Sequence, residues 1–287
     1  MKIPLSTPLY SINAKKEALL FYTYADIKYH PFAALYPFFA LKSNPQSIVE
    51  IVLSSPNAFI NEYTDIINYY QKEFPGQVLY SYIDHSDILP NSLRYVVQPQ
   101  SCAKYVYIGD VDILLLEPNI LLWHLRNIKQ NQLDFSNVVR SGTKKLTGLH
   151  FIEYEKMFPV QIESNINLNT TTDEDLLYIL MNAKGFKMPT GADLTARPVH
   201  GLHISFFSRP LLPTLTTQDR LADYPSWYAQ SHDTRAFIEK YVEVRYTEDF
   251  VKFMSNIRDN NVQLRQLVQI VDLYCLYCNS LPKEQCS

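Results

Sequence analysis

An α/β fold on a largely parallel sheet, followed by a helical C-terminal region, is predicted by three features of this 287-residue chain. Short apolar runs rich in aromatic residues alternate with segments patterned at helical spacing. Hydrophobic residues supply 47% of the chain and charged residues only 19%, enough to fill a substantial core. Beyond Pro213 the strand-like runs stop, and apolar residues recur at intervals of three and four.

The elements follow in order. Leu19 to Tyr24 (LLFYTY) is an apolar run of strand length. Pro31 to Leu41 carries apolar residues at helical spacing, with Pro31 suited to a first turn and Asn44-Pro45 closing it. Ile48 to Leu53 (IVEIVL) is a second strand, Ala58 to Phe74 a helix that Pro75-Gly76 ends, and Val78 to Ile83 a third strand. Leu93 to Val97 and Tyr105 to Ile108 continue the series as strands. In such sheets ligands bind beyond the carboxyl ends of the strands, which draws attention to Ala25-Asp26 and to Gly109 through Asp112. Gln218 to Asn279 reads as helical, so we divide the chain into a sheet domain, residues 1–213, and a helical region, residues 214–287.

Composition narrows the function. With 26 basic and 29 acidic residues the formal charge is −3, against a nucleic-acid partner gripped through phosphates. Only seven glycines occur, none in a GxGxxG or P-loop arrangement, and no GxSxG or HExxH is present. No apolar stretch is long enough for a membrane span, and Met1 to Lys16 does not read as a secretory signal. Four cysteines do not make a disulfide scaffold, and Cys275-x-x-Cys278 with Cys286 lacks a fourth zinc ligand. An intracellular, cytoplasmic protein is expected.

The sharpest chemical feature is Tyr105-Val-Tyr-Ile-Gly-Asp110-Val-Asp112-Ile-Leu-Leu-Leu116. On extended chain the carboxylates of Asp110 and Asp112 share one side. Two carboxylates between apolar flanks repel and are poorly solvated unless one is protonated or a cation joins them. Mg²⁺ or Mn²⁺ answers both needs, and such ions fill their remaining positions with water and phosphate oxygens. The pair therefore predicts a substrate that carries phosphate.

With this motif in place, the chain resembles the GT-A glycosyltransferases, in particular the family 8 type that uses nucleotide sugars. The likeness runs in order through LLFYTYADIKY, the Pro-started helix, IVEIVL, Leu93-Arg94-Tyr95 and YVYIGDVDIL, covering roughly residues 18 to 120. It implies that Asp26 reads a uracil base, with Tyr24 and Ala25 beside it. It also implies that Arg94 lies near the donor phosphates, that Asp110 faces ribose and metal, and that Asp112 binds the metal, Mn²⁺ or Mg²⁺. Members of the family carry a late His segment that completes the metal shell and a nearby basic residue for the diphosphate. Here Arg197-Pro-Val-His200-Gly201-Leu-His203 through Arg209-Pro occupies that place. Either His200 or His203 fits, with His203 favoured because it stands nearer Arg209.

Between these segments, Lys144 through His150 resembles the stretch lining donor sugar and acceptor. Asp173-Glu174-Asp175 resembles an acidic element at a helix start beneath the reaction centre. From Glu174 or Asp175, a carboxylate would deprotonate an acceptor hydroxyl in an inverting enzyme or orient the sugar in a retaining one. Acidic residues against a helix dipole account for the same pattern. The expectation is a metal-dependent transferase acting on a nucleotide-sugar donor and a glycan or glycolipid acceptor, peripheral to the inner membrane face where the acceptor is lipid-linked. A nucleotidyl- or phosphotransferase and a non-catalytic nucleotide-sugar-binding protein are the alternatives.

Overall fold

Strands that are buried along their whole length, as the apolar runs require, must be covered on both faces of a sheet. In the computed structural model, which describes residues 7–9, 18–83, 88–140, 142–164, 166–189, 200–204, 232–257 and 261–280, they are. The chain enters through β1 (Thr7–Pro8) and β2 (Leu19–Ala25), followed by α1 (His30–Ser43), β3 (Ser47–Leu53), α2 (Pro56–Glu73), β4 (Val78–Tyr82) and α3 (Pro90–Val96). Next come β5 (Tyr105–Ile108), β6 (Ile113–Leu115), α4 (Ile120–Asn131), β7 (Phe135–Ser136), β8 (His150–Glu153) and α5 (Tyr154–Met157). α6 (Asp173–Ala183), β9 (Gly201–His203), α7 (His232–Arg245), α8 (Glu248–Ser255) and α9 (Val262–Ser280) complete it.

One seven-stranded sheet has the order β1-β4-β3-β2-β5-β8-β7. Its centre, β4-β3-β2-β5, is parallel, whereas β1, β8 and β7 pair antiparallel to their neighbours. Alternate residues serve two cores. Phe21, Val49, Ile51 and Tyr107 join α1, α2 and the C-terminal helices on one face. Leu20, Tyr22, Val52 and Ile108 join α3 and α6 on the other. From β2 the chain builds the sheet outward through β3 and β4, then returns to lay β5 on the opposite side of β2. The β2/β5 boundary is thus a topological switch point, where a crevice opens at the carboxyl ends of the strands.

α1 is buried from His30 through Leu41, apolar all round, and so needs cover on the side away from the sheet. The C-terminal helices supply it. Phe38 meets Phe250 and Phe253 with ring centroids 5.2 and 4.9 Å apart, and Phe39 lies over Tyr241 at 5.7 Å.

One expected strand is a helix. Leu93 to Val97 lies in and just beyond α3, because Pro90 starts a helical turn and the Val97 amide donates to the Leu93 carbonyl at 2.9 Å. A five-residue apolar run does not distinguish the two by periodicity.

Beside the switch point, His150 is fully buried in β8, and burial holds its imidazole down at about 3. An unfolded chain takes up that proton near 6.5, whereas the folded chain refuses it until about 3, so acid favours unfolding across this interval. Urea midpoints should fall as pH drops from 6.5 to 4, and His150→Phe should flatten that part of the profile. An unchanged slope in the variant would remove His150 as the cause.

Candidate metal and nucleotide site

Two parallel neighbours bring the sequence motifs together. β2 and β5 run side by side with Tyr22 opposite Ile108, so Asp26 and Asp110 leave the same edge of the sheet. The loop after β5 is pinned from both sides. Thr23 Oγ1 donates to the Gly109 carbonyl at 2.8 Å, Arg94 Nη1 donates to the same oxygen at 3.1 Å, and the Gly109 amide reaches Tyr22 O at 3.3 Å. Asp110 and Asp112 do not share one side of an extended strand. They sit on a turn, with the Ile113 amide on the Asp110 carbonyl at 3.3 Å, because the chain must reverse before the apolar run of β6.

β6 then pairs antiparallel with β9, Ile113 opposite His203, and the Ile204 amide donates to the Asp112 carbonyl at 2.8 Å. This ribbon carries His203 to the aspartates. Ligand atoms of Asp110, Asp112 and His203 all lie within 4.8 Å of one another, and His203 Nε2 stands 3.3 Å from Asp112 Oδ1. Asp112 is 4% exposed, and its Oδ1 makes no well-formed hydrogen bond, with His203 Nε2 its neighbour at 3.3 Å. A nearly buried carboxylate set beside a second one is costly unless a cation joins them. The residues therefore fit a divalent metal: two hard carboxylates and one borderline imidazole, a set that leaves positions for further oxygens.

Arg94 is the clamp of the site. Its buried guanidinium pairs with Asp110 through Nη1 and reaches Asp173 through Nη2 at 3.0 Å. Burial opposes its charge, but Asp110 and then Asp173 outweigh that and raise its pKa further. Arg94 thus fixes one carboxylate of the cluster. Gly148 lies against this pair: a Cβ there would come within 3.1 Å of Arg94 Nη2 and 3.2 Å of Asp110 Oδ2.

A cleft opens over these groups, lined by Tyr24, Asp26, Tyr29, Asn91, Arg94, Asp110, Val111, Asp112 and His203. Six of them were expected from sequence. Asp26 also caps the short 3-10 turn Ile27–Tyr29, accepting from the Lys28 amide at 2.9 Å. Tyr24 is pushed up by burial and, more weakly, by Asp26. Ala25 is buried in β2, its carbonyl accepting from Ser54 at 3.1 Å.

The acidic start of α6 divides its roles differently from the sequence expectation. Asp173 reaches the cluster through Arg94. Glu174 instead pairs with Arg140, whose Nε lies 2.8 Å away, and Asp175 pairs with Lys145 at 3.0 Å and with Thr172, which caps the helix. Thr172 and Lys145 hold the Asp175 carboxyl below its usual range. His200 is not brought to the cluster; it is buried against Tyr107 and His124. Arg209 and Cys286 lie outside the described residues. Cys275 is buried in α9, and the single cluster of metal-ligating side chains among the described residues is Asp110, Asp112 and His203.

Asn91 escaped the sequence reading, whereas Tyr29, Asp173 and Gly148 lie in segments it singled out without assigning them to the site. Glycine scarcity was a usable signal for Gly148, whereas Asn91 carries none. At Gly201 only glycine fits, since a Cβ there would stand 1.7 Å from the Leu114 carbonyl oxygen. Gly201→Ala should push β9 off β6, cost about 1 to 3 kcal/mol in urea unfolding and weaken Mn²⁺ binding. Unchanged titrations would show that the β6–β9 contact does not place His203.

No protein-family model matches the chain, and no characterised protein matches it in sequence. Similar solved structures include the mannosyltransferase PcManGT from Pyrobaculum calidifontis in complex with GDP-Man and Mn²⁺, at 10% identity, 94% coverage of this chain, 91% of that chain and a TM-score of 0.42. The galactosyltransferase LgtC with donor and acceptor sugar analogs aligns at 13% identity over 56% of this chain and 70% of its own, TM-score 0.38. A 4-diphosphocytidyl-2C-methyl-D-erythritol synthase from Anaerococcus prevotii aligns at 10% identity over 64% and 92%, TM-score 0.37. Likeness at this level assigns no activity. By its own strand order, switch-point crevice and two-sided helical cover, the chain has a GT-A-like α/β architecture with a cluster able to hold a divalent cation.

Proposed function

We propose that this protein is a metal-dependent glycosyltransferase that moves a sugar from a nucleotide diphosphate donor, a UDP-sugar, to a hydroxyl of a glycan or glycolipid. The observation that carries this reading is the convergence of Asp110, the nearly buried Asp112 and His203, at the mouth of a switch-point crevice. In the proposed site, Asp110, Asp112 and His203 hold Mn²⁺ or Mg²⁺, which when bound would offset charge on the leaving diphosphate. Asp26 and the wall formed by Tyr24 and Ala25 take the base. Arg94 keeps Asp110 turned toward the cation, and Arg209 is assigned to the diphosphate. Glu174 and Asp175, held by Arg140 and Lys145, are assigned to the acceptor side, where a carboxylate can accept the proton of the attacking hydroxyl or orient the sugar. No helix among the described residues is long and apolar enough to cross a membrane. We place the reaction in the cytoplasm, in keeping with the donor class.

The test is a thermal-shift screen of nucleotide sugars with and without Mn²⁺, followed by product analysis. A ligand present at a hundred times its Kd stabilises by about 2.7 kcal/mol, so a shift that needs metal and UDP-sugar together, with UDP released on adding acceptor, is the expected result. Release of pyrophosphate or a nucleoside monophosphate would point to nucleotidyl or phosphoryl transfer instead. Binding without turnover would leave a nucleotide-sugar-binding protein.

A further inference from the structure

A chain of polar side chains, buried at His200, His124 and Ser136 and half-buried at Asn127, is not used by the proposed chemistry. His200 Nε2 lies 2.6 Å from His124 Nε2, His124 Nδ1 lies 2.8 Å from Ser136 Oγ, and Ser136 Oγ donates to Asn127 Oδ1 at 3.1 Å. The two imidazoles are nearly coplanar, 15° apart with centroids at 4.7 Å, so the short Nε2 contact joins them edge to edge within one plane. Phe151 stacks flat on His124 at 4.6 Å, and Tyr107 meets His200 at 4.8 Å.

The far end fixes the direction of each proton. Asn127 Oδ1 is only an acceptor, so the Ser136 hydroxyl spends its proton there and receives one from His124 Nδ1. A neutral His124 protonated at Nδ1 has a bare Nε2, which must therefore accept the Nε2 proton of His200. The His200 ring is thereby held in one tautomer and one orientation, with its Nε2 committed to His124.

His200 immediately precedes the three-residue strand that delivers His203. Its carbonyl accepts from the Leu116 and Glu117 amides at 2.9 and 3.1 Å, and the following residue, Gly201, has no side chain with which to anchor the strand. We propose that His124, backed by Ser136 and Asn127, is a positioning residue for the metal: by pinning the His200 ring it sets the register and height at which β9 presents His203 to Asp110 and Asp112. This inference rests on the reading of those three residues as a metal site. Groups that orient a metal ligand without touching the metal commonly change affinity roughly 10- to 100-fold when removed.

The test combines calorimetric titration of MnCl₂ with ¹⁵N NMR of the histidine side chains. His124→Phe keeps the stacking on Phe151 but removes the acceptor, and should weaken Mn²⁺ binding roughly 10- to 100-fold. His124→Gln, whose Oε1 can still accept from His200, should retain most of the affinity, a rescue that a merely space-filling role would not give. In the wild type His200 should show the Nε2–H tautomer, lost in His124→Phe. Should His124→Phe fail to fold, Ser136→Ala decides, since it frees His124 to carry its proton on Nε2, which would reverse the contact and move the His200 proton to Nδ1. Wild-type Mn²⁺ binding with unaffected variants, or an Nδ1–H tautomer at His200, overturns the inference alone. A wild-type chain that ignores Mn²⁺ overturns the metal reading beneath it.

Discussion

Asp112→Asn should abolish sugar transfer, lowering it about a thousandfold or more as several kcal/mol of charge stabilisation are lost, while leaving the fold intact. Asp112 is nearly fully buried, and its Oδ1 makes no well-formed hydrogen bond. Without metal, the wild-type chain carries a desolvated carboxylate beside a second one, an unfavourable arrangement. Asparagine removes that charge in the same volume, so the metal-free variant should melt at the same temperature as the wild type or above it. What it should lose is the Mn²⁺-dependent stabilisation. Separating the two effects matters: a variant that melts lower without metal would mean that Asp112 serves the fold through His203, at 3.3 Å, as an ordinary ion pair.

Arg94→Leu should have the largest effect on stability. The side chain is buried, pairs with Asp110 and Asp173, and braces the Gly109 carbonyl, so its loss takes a charged donor from two carboxylates and leaves that carbonyl to Thr23 Oγ1. Removing one member of a fully buried pair costs about 3 to 5 kcal/mol. Asp110 and Asp173 retain some solvent, at 33% and 19% side-chain exposure, which lowers the expected cost to about 2 to 3 kcal/mol. Arg94→Lys should recover little, because a single ammonium cannot span three acceptors the way a planar fork does. Urea unfolding of the three proteins checks this. A leucine variant as stable as the wild type would show that the clamp does not hold the loop after β5.

The sheet was legible where burial alone dictates the pattern. LLFYTY and IVEIVL are apolar on both faces because helices cover both sides, and that leaves a run of strand length and little else. The all-round apolar character of α1 calls for a second helical layer, a need that the sequence reading, which took the segment only as a helix, did not draw. α3 was misread because Leu93 to Val97 is too short for period to tell strand from helix, and the start signal, Pro90, lies outside the apolar run. In the site, Asp110 and Asp112 were legible because paired acids amid apolar residues need a reason. The turn that presents them was not, since it is set by the pairing of β6 with β9, far apart in sequence. For the same cause the choice between His200 and His203 needed register: one residue faces the cluster and the other a buried imidazole. Asp173 was hidden beside Glu174 and Asp175 because only the position of Arg94 distinguishes the three.

Anomalous diffraction at the manganese edge, from crystals grown with Mn²⁺ and UDP, tests the central claim most directly. The account predicts one strong peak about 2 Å from carboxylate oxygens of Asp110 and Asp112 and from His203 Nε2, with diphosphate oxygens completing the shell. An empty cleft with His203 still paired to Asp112, or a peak placed elsewhere on the chain, would contradict it.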